Sequence, residues 1–554
     1  MAKVRGAKII ARSLKNLGVD TIFYIIGGPI NPVAEEAHAL GIKLVDVRHE
    51  ECAAMAAHAY ARLSRKPGVV LTPSGPATAN AIPGVVNALA DASPIIALGG
   101  STALYQRGMG AFQEMDQVAL MAPATKWAFQ VSLAHRIPEQ FSQAFRRAMT
   151  GCKGPVYIDL PADVIETQLD DTAVHYDVEA YKESRPWGNP EDVKQAIAML
   201  RKAEKPIIIS GSGVLWSDAS EELRAFVDAT GIPFYTTPQG RGVIPEDHPR
   251  CFTAARTTAF KEADVVLAVA TRSNFILSYF RPPRWDPNTK VIMVNIDAEE
   301  VHHNKNMAGG IVGDAKMVLR QLAEEARGKF DATAETAWVK QLRAKNAANE
   351  EKNEALLNSN AVPIHPLRMM KEVRETIARD AIVVVDGHDT LNFGRQSIPT
   401  FVPGHRLNAG THGTMGIGVP FALGAKAAKP DKQVVLVCGD GSFGWSGMNI
   451  DSAVRNKLPF VAVINNNGGM TAASRGQPED LEKVRQHDFG WSDYQMIAQA
   501  FGGYGERVEK PDQIKPALRR ALSSGKAAVV NVVTDHYARS STYSGFFGAA
   551  GEYS

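Results

Sequence analysis

The chain of 554 residues is long enough for three or four domains of roughly 150 residues each. Its 45% hydrophobic and 22% charged residues are ordinary for a folded globular protein, which excludes a disordered chain, a collagen and a small disulfide-bonded scaffold. The 61 basic and 59 acidic residues give a formal net charge of +2, so the composition predicts neither nucleic acid nor a membrane surface as a partner.

The cysteine and hydropathy patterns predict a cytoplasmic protein. The four cysteines are far apart and form no Cys-x-x-Cys spacing, which argues against a thiolate metal site and against a disulfide framework. No stretch of about 18 apolar residues occurs. The N-terminus is charged and lacks the apolar core of a signal peptide.

Short apolar runs alternate with helical patterns over residues 1–170. Val4, Ala7, Ala11 and Leu14 recur at the spacing of an amphipathic helix, and residues 50–63 form an alanine-rich helical pattern. The apolar runs that indicate buried strands are 20–26, 43–47, 69–72 and 94–98. This alternation is typical of parallel strands covered by helices on both faces, so we expect one α/β domain here.

The same alternation restarts twice. A second domain, 190–328, has predicted strands at 206–210, 232–236, 265–270 and 291–297. A third domain, 361–537, has predicted strands at 381–385, 434–438, 460–464 and 528–534, and a tail at 538–554 follows it. The sequence therefore predicts an α/β protein of three doubly wound parallel-sheet domains.

The most informative segment is Gly-Asp-Gly-Ser at 439–442, which ends a predicted strand and is followed by Asn-Asn at 466–467. One helix and one strand separate the two, so Asn467 should lie next to Asp440 at the carboxyl edge of the sheet. A carboxylate, an amide oxygen and a nearby carbonyl suit Mg²⁺ and leave positions for diphosphate oxygens. Gly-Asp-Gly alone is more simply a turn, but its spacing to Asn-Asn favours the metal site.

This pair of motifs resembles the signature of the thiamine diphosphate enzymes. The three units likewise resemble the pyrimidine-binding, central and diphosphate-binding domains of the pyruvate-oxidase-like enzymes, so the resemblance covers nearly the whole chain. It implies thiamine diphosphate and Mg²⁺ as cofactors, with Asp440, the Asn467 side chain and the Gly469 carbonyl as metal ligands. The further cofactor contacts that it implies are Glu50, His388, Asp389, Gly413, Met415, Gly439, Gly441, Ser442 and Met470.

Two other segments carry the same resemblance. Arg-His-Glu at 48–50 stands where the family has a catalytic glutamate that shares a proton with the aminopyrimidine ring, a role that burial and a raised pKa would suit. A lone Glu50 would more simply be a helix cap, and Glu51 is expected at the surface. In the glycine-rich stretch 410–418, Met415 matches the family's apolar wedge and the Gly413 carbonyl matches the acceptor from the cofactor's amino group.

Local strings resemble 2-hydroxyacyl-CoA lyases and oxalyl-CoA decarboxylases more than acetolactate synthases. Gly-Ala-Phe-Gln-Glu at 110–114 resembles the lyases, because the decarboxylases carry a tyrosine where this chain has Gln113. The implied reaction is the reversible cleavage of a 2-hydroxyacyl-CoA to an aldehyde or ketone plus formyl-CoA. Gln113 and Glu114 are the catalytic candidates, as hydrogen-bond donor and as proton relay through water, and His49 and His412 are further candidates.

Coenzyme A would need cationic contacts. The tail resembles in placement a segment that closes over acyl-CoA in these enzymes, and Arg539 could meet a phosphate. Arg256, Arg272 and Arg284 are candidate nucleotide contacts, although structural ion pairs explain them equally well. In the decarboxylases the central domain binds ADP, and Asp297 stands where it could hold the ribose.

Two other functions stay open. One is an oxalyl-CoA decarboxylase, or an acetolactate-synthase-like enzyme acting on free 2-oxo acids; the other is a non-catalytic paralogue, against which the intact Glu50, Asp440 and Asn467 argue. In this family the glutamate and the metal motif of one site come from different subunits. The resemblance therefore implies a homodimer as the minimal active unit and a homotetramer as the assembly.

Overall fold

The computed structural model describes residues 3–176, 183–470 and 488–540. It contains three parallel sheets flanked by helices, which confirms the predicted α/β protein of three doubly wound domains. Among the described residues no helix is both long and apolar enough to cross a membrane. The exact domain boundaries, 1–170, 190–328 and 361–537, stay predictions.

The first domain has one six-stranded sheet and one small strand pair. Its strands are β1 Lys3–Arg5, β2 Thr21–Tyr24, β3 Lys43–Asp46, β4 Gly68–Thr72, β5 Ile95–Ser101, β6 Trp127–Gln130, β7 Val156–Pro161 and β8 Gln168–Asp170. The parallel sheet has the order β3-β2-β4-β5-β7-β6, and β1 pairs antiparallel with β8. Its helices are α1 Gly6–Asn16, α2 Asn31–Ala39, α3 Glu50–Ser64, α4 Pro76–Ala90, α5 Gln117–Met121, α6 Ile137–Met149 and α7 Ala162–Glu166.

The second domain is a five-stranded parallel sheet in the order β10-β9-β11-β12-β13. Its strands are β9 Pro206–Ser210, β10 Phe234–Thr236, β11 Val265–Val269, β12 Lys290–Asn295 and β13 Gly309–Val312. Its helices, and the long helix that follows the sheet, are α8 Pro190–Lys202, α9 Ser212–Trp216, α10 Ser220–Thr230, α11 Arg256–Glu262, α12 Ala315–Ala326 and α13 Ala337–Leu357.

The third domain repeats the six-stranded parallel arrangement in the order β15-β14-β16-β17-β19-β18. Its strands are β14 Ile382–Asp386, β15 Arg406–Leu407, β16 Val434–Gly439, β17 Val461–Asn466, β18 Tyr504–Val508 and β19 Ala528–Val533. Its helices are α14 Pro366–Thr376, α15 His388–Ser397, α16 Gly418–Ala428, α17 Asp440–Ser446, α18 Ile450–Arg455, α19 Gln495–Ala500 and α20 Pro511–Ser523.

Helices α3 and α16 join the first and third domains through one continuous apolar core. They approach closely because small residues line the contact: a Cβ on Gly424 would lie 2.0 Å from the carbonyl oxygen of Ala56. The alanine-rich sequence of α3 therefore serves close packing of helix against helix. Glu50, at the first residue of α3, is placed by this contact.

Candidate active site

The two motifs of the predicted metal site end neighbouring strands. Strands β16 and β17 pair in parallel with Gly439 opposite Asn465, so the segments after them leave the same edge of the sheet side by side. Asp440 is the first residue of α17 and is 2% exposed, and Asn467 follows β17 directly and is 7% exposed. The structure thus brings the predicted carboxylate and amide together in a buried place.

The electrostatics of Asp440 suit a cation. Burial raises the pKa of this carboxyl group to about 7, against the opposite effect of the backbone N–H groups of Gly441, Gly469 and Gly468. A nearby divalent cation would favour the ionised form of such a buried acid. One carboxylate beside an amide and backbone carbonyls is a hard oxygen donor set, so the residues fit Mg²⁺.

The predicted diphosphate contacts lie beside this loop, at the end of β14. Gly387 has a φ of +93°, and a Cβ there would lie 2.9 Å from Ser442 Oγ, so only glycine fits this turn. His388 and Asp389 then begin α15, with Nδ1 of the first 3.5 Å from Oδ1 of the second. His388, Asp389 and Ser442 therefore lie close together at the carboxyl edge of the sheet.

The two glycines of Gly-Asp-Gly do not form a tight turn. Neither Gly439 nor Gly441 has a positive φ, because α17 starts at Asp440 without a reversal of the chain. A Cβ on Gly441 would instead lie 3.2 Å from Cγ of Met470. This contact places Met470, another predicted cofactor residue, against the first turn of α17.

The predicted pyrimidine loop is anchored on the first domain. The Thr411 hydroxyl donates to the Ala90 carbonyl over 3.1 Å. His412 and Gly413 are exposed, Gly413 has a φ of +71° with no atom within 4 Å of the place that a Cβ would take, and Met415 is half-buried. The anchored loop thus leaves open space beside the Gly413 backbone.

Glu50 is held by a neighbour that sequence reasoning missed. The Asn80 amide, on α4, donates to Glu50 Oε2 over 3.0 Å. Glu50 itself is half-buried in the single chain. His49 caps α3, since its Nδ1 accepts from the Glu51 N–H at 3.3 Å. The contact between α3 and α4 that brings Asn80 to Glu50 leaves no signal in the spacing of the sequence.

Gln113 and Glu114 differ in what their side chains do. Gln113 has a φ of +58°, and its Oε1 accepts from the Ser74 hydroxyl at 2.7 Å. The Glu114 carboxylate accepts the backbone N–H groups of Gly108, Gly110 and Ala111, and these bonds, the one from Gly108 foremost, lower its pKa. Glu114 therefore shapes its own loop, which makes Gln113 the better candidate for contact with a substrate.

The Arg539 side chain binds backbone carbonyls of its own segment. Its Nη1 donates to the backbone carbonyls of His536, at 3.0 Å, and Ala538, at 2.9 Å. Most of the predicted tail, residues 541–554, lies outside the described residues. The assignment of Arg539 to a substrate phosphate stays a prediction.

Comparison with known proteins identifies the class. Three family models match: "Thiamine pyrophosphate enzyme, N-terminal TPP binding domain" over residues 4–120, the central domain over 193–322 and the C-terminal TPP binding domain over 391–532. The chain therefore belongs to the thiamine pyrophosphate enzymes, and thiamine diphosphate is its cofactor.

Relatives within this family match over almost the full length. The chain is 35% identical to a 2-hydroxyacyl-CoA lyase of Arabidopsis thaliana, covering 97% of this chain and 96% of that protein. It is 33% identical to an acetolactate synthase large subunit of Mycobacterium tuberculosis, covering 96% of each. It is also 33% identical to the oxalyl-CoA decarboxylase of Escherichia coli, covering 96% of this chain and 95% of that protein.

Proposed function

We propose that the chain is a thiamine diphosphate- and Mg²⁺-dependent lyase that cleaves a 2-hydroxyacyl-CoA to an aldehyde or ketone plus formyl-CoA, and that can run the reaction in reverse. When bound, thiamine diphosphate supplies the electron sink for the carbon–carbon bond that breaks. Asp440, Asn467 and the Gly469 carbonyl would hold Mg²⁺, and His388, Asp389 and Ser442 would face the diphosphate.

The first domain would provide the proton chemistry. Asn80 fixes Glu50 through Oε2, so we assign Oε1 to the proton shared with the aminopyrimidine nitrogen. Ser74 orients Gln113 by donating to its Oε1, which leaves the Gln113 amide N–H groups to donate towards substrate oxygen. Gly413 and Met415 would flank the ring of the cofactor.

A cluster of five arginines is the observation that carries the acyl-CoA part of the proposal. It lies where the second domain meets the third and contains Arg241, Arg256, Arg284, Arg395 and Arg406. One carboxylate, Glu246, pairs with Arg241. The cluster thus concentrates positive charge in a chain whose net charge is close to zero.

The guanidinium groups of this arginine cluster retain unused donors. Among the described residues, no acceptor meets Nε and Nη2 of Arg256, Nε of Arg395, Nη1 of Arg241 or Nη2 of Arg406. Burial, together with the neighbouring cations, lowers the pKa of Arg256 to about 9 and of Arg395 to about 10. Buried guanidinium groups with unsatisfied donors are costly, and the phosphates of a nucleotide would satisfy both their charge and these donors.

The position of the arginine cluster connects it to the cofactor site. Arg395 lies on α15, the helix that begins with His388 and Asp389, and seven residues correspond to about 10 Å along a helix. Arg256 and Arg284 both lie over the ring of Phe260, at 4.7 and 5.4 Å from its centre. We propose that Arg256, Arg284 and Arg395 bind the nucleotide end of the CoA thioester while its acyl end reaches the cofactor.

We also propose that two copies of the chain form the working enzyme. Exposed apolar side chains occur in both halves of the candidate site: Met109 and Phe112, 75% and 85% exposed, precede Gln113, and Trp445 and Met448, 62% and 56% exposed, follow Asp440. Exposed apolar groups of this size mark interaction surfaces. A homodimer would cover them, and a homotetramer and a cytoplasmic location stay predictions.

A cleft among the three domains supports the secondary prediction of ADP binding. Its empty volume, with the space that opens to solvent included, is about 1070 Å³, and its lining includes Asp91, Gln239, Arg272 and Thr411. Arg272 donates to the Ala90 carbonyl at 2.8 Å and pairs with Glu300 at 3.2 Å. Titration with ADP, followed by calorimetry, tests this site.

The reaction itself is tested by product analysis with Mg²⁺ and thiamine diphosphate present. Separate incubations contain a 2-hydroxyacyl-CoA, oxalyl-CoA or pyruvate, and are assayed for formyl-CoA with aldehyde, for CO₂ and for acetolactate. The proposal predicts formyl-CoA and aldehyde from the first. Acetolactate alone would support the synthase-like alternative, and CO₂ from oxalyl-CoA alone would support the decarboxylase.

A further inference from the structure

The loop that carries two of the proposed metal ligands, residues 467–469, is fastened at both ends through its backbone. The Asn466 carbonyl accepts the Thr534 N–H at 2.8 Å, which ties the end of β17 to the residue after β19. The Gly468 carbonyl accepts the Phe489 N–H at 2.7 Å. These two carbonyls are therefore committed to backbone donors on two other segments.

The carbonyl between them is held by a side chain. His536 Nδ1 lies 2.5 Å from the Asn467 carbonyl oxygen. A carbonyl only accepts, so Nδ1 carries the hydrogen in this contact. His536 thus fixes the peptide group of the very residue whose side-chain amide is proposed to bind the metal.

The His536 imidazole also packs against this loop. A Cβ on Gly468, which has a φ of +80°, would lie 3.3 Å from His536 Nδ1 and 3.6 Å from Trp491 Cε2. The two rings meet edge to face, with centroids 6.1 Å apart. The Trp491 indole N–H donates to the Thr534 carbonyl at 3.3 Å, which locks this support to the end of β19.

We propose that His536 is a positioning residue for the cofactor's metal ion: its Nδ1–H holds the Asn467 carbonyl so that the Asn467 side chain and the Gly469 carbonyl stay directed at the cation beside Asp440. This inference rests on the proposed metal site. The inference adds to the proposed metal site a residue that touches neither the metal nor the substrate. His536 acts only through the loop 467–469.

The test is a calorimetric titration of Mg²⁺ into the full-length protein with thiamine diphosphate present, repeated for three variants. His536→Leu removes the donor at similar size, and His536→Asn retains an amide donor near the place of Nδ1. His248→Leu is the matched control, because His248 is also half-buried and accepts a backbone N–H, that of Arg250 at 3.1 Å, but lies in the second domain. Thermal melting of all variants shows whether they fold.

We expect His536→Leu to weaken Mg²⁺ binding roughly tenfold, the effect of losing one hydrogen bond that fixes a ligand. His536→Asn should restore most of it, and His248→Leu should match the wild type. At saturating Mg²⁺, kcat of His536→Leu should stay within about threefold of the wild type, since the residue acts on metal affinity. Unchanged affinity in His536→Leu, or equal loss in both leucine variants, would overturn the inference. A wild type that binds no Mg²⁺ would refute the proposed metal site itself.

Discussion

Glu50 is the residue on which the proposed proton chemistry depends most. Its Oε2 accepts from Asn80, and it begins α3 at the edge of the first domain. We predict that Glu50→Gln lowers kcat by about 10²- to 10⁴-fold, the range for removal of a positioned acid–base group. Binding of thiamine diphosphate and Mg²⁺, measured by calorimetry, should persist.

Glu51 provides the neighbouring control. It lies beside Glu50 and is also half-buried, whereas the sequence predicted it at the surface. Burial raises the pKa of its carboxyl group. Glu51→Gln should keep kcat within a few fold of the wild type. Equal losses in the two variants would mean that negative charge at this helix start, and not the Glu50 carboxyl group, is what matters.

At the scale of single residues, the sequence predicted which motif residues lie close together, whereas their roles in the site stay predictions. Asp440 and Asn467 follow paired strands, so their spacing along one βαβ unit was enough to predict their proximity. Asn80 and Ser74 were missed, because each acts across a contact between separate elements that leaves no pattern along the chain. The Glu114 carboxylate also accepts backbone N–H groups of its own loop, and its catalytic role stays a prediction.

The loop from 410 to 415 depends on one close contact between elements. A Cβ on Gly410, which has a φ of +64°, would lie 1.8 Å from Asp91 Oδ1. Gly410→Ala should therefore destabilise the protein by more than the roughly 1 kcal/mol of backbone strain, because Asp91 is buried and cannot move aside. Melting temperature measures the effect.

The comparison for that variant is Gly18→Ala. Gly18 also has a positive φ, +81°, but no atom lies within 4 Å of its Cβ position. It should show the cost of backbone strain alone. Equal changes in the melting temperatures of the two variants would contradict the claimed clash between the loop and the first domain.

Asp91, at the junction of the domains, gives a dependence on pH. Burial raises its pKa from 3.8 to about 7, partly offset by Arg62, the Thr411 N–H and Arg272. His58, 3.6 Å away, has a pKa far below its usual value because it is buried, so it stays neutral. The folded protein thus holds the Asp91 proton more tightly than the unfolded chain does.

We therefore predict that the free energy of unfolding falls as pH rises from about 4 to about 7 and then levels off. The fall is at most about 4 kcal/mol, which corresponds to roughly three pKa units. Asp91→Asn, which cannot ionise and can still accept from Gln239, should lack this fall. The measurement is the difference between the melting temperatures of the two proteins across that pH range. A constant difference would show that Asp91 ionises normally.

Most of the strands that the sequence did not predict lie at the edges of the sheets, although the edge strands β3 and β10 were predicted and the inner strand β7 was not. The missed strands include β6 and β18, whose residues are mostly half-buried and carry mixed polar and apolar side chains. The central strands such as β16 are almost completely buried and therefore appear as continuous apolar runs. An inner strand is covered on both faces and pairs with a strand on each side, whereas an edge strand lacks one of these neighbours.

For the whole molecule, the exposed apolar groups near the site predict loss of assembly when they are charged. Phe112→Asp and Trp445→Asp should each convert dimers to monomers in sedimentation experiments and abolish activity, since burying a carboxylate in an apolar interface is costly. Trp187→Asp is the control, because Trp187 is 61% exposed but lies in the linker before α8. Fully active monomers would contradict the shared site.

The three-domain architecture was predictable from strand periodicity because each sheet is parallel and its strands recur between helices. How the domains meet was not, and the arginine cluster arises only there: Arg256 and Arg284 come from the second domain, and Arg395 and Arg406 from the third. Residues distant in sequence create that charge together. The proposed recognition of a CoA thioester therefore depends on contacts between domains that the sequence alone does not reveal.

The central claim is that this enzyme recognises a CoA thioester through its nucleotide. The most direct measurement compares kcat/KM for a 2-hydroxyacyl-CoA with that for the same acyl group on pantetheine, in the wild type and in an Arg256→Ala/Arg395→Ala variant. We predict that the wild type prefers the CoA thioester by about 10² or more, and that the variant loses most of this preference while its rate with the pantetheine thioester is unchanged. Equal kcat/KM values for the two thioesters in the wild type would contradict the claim.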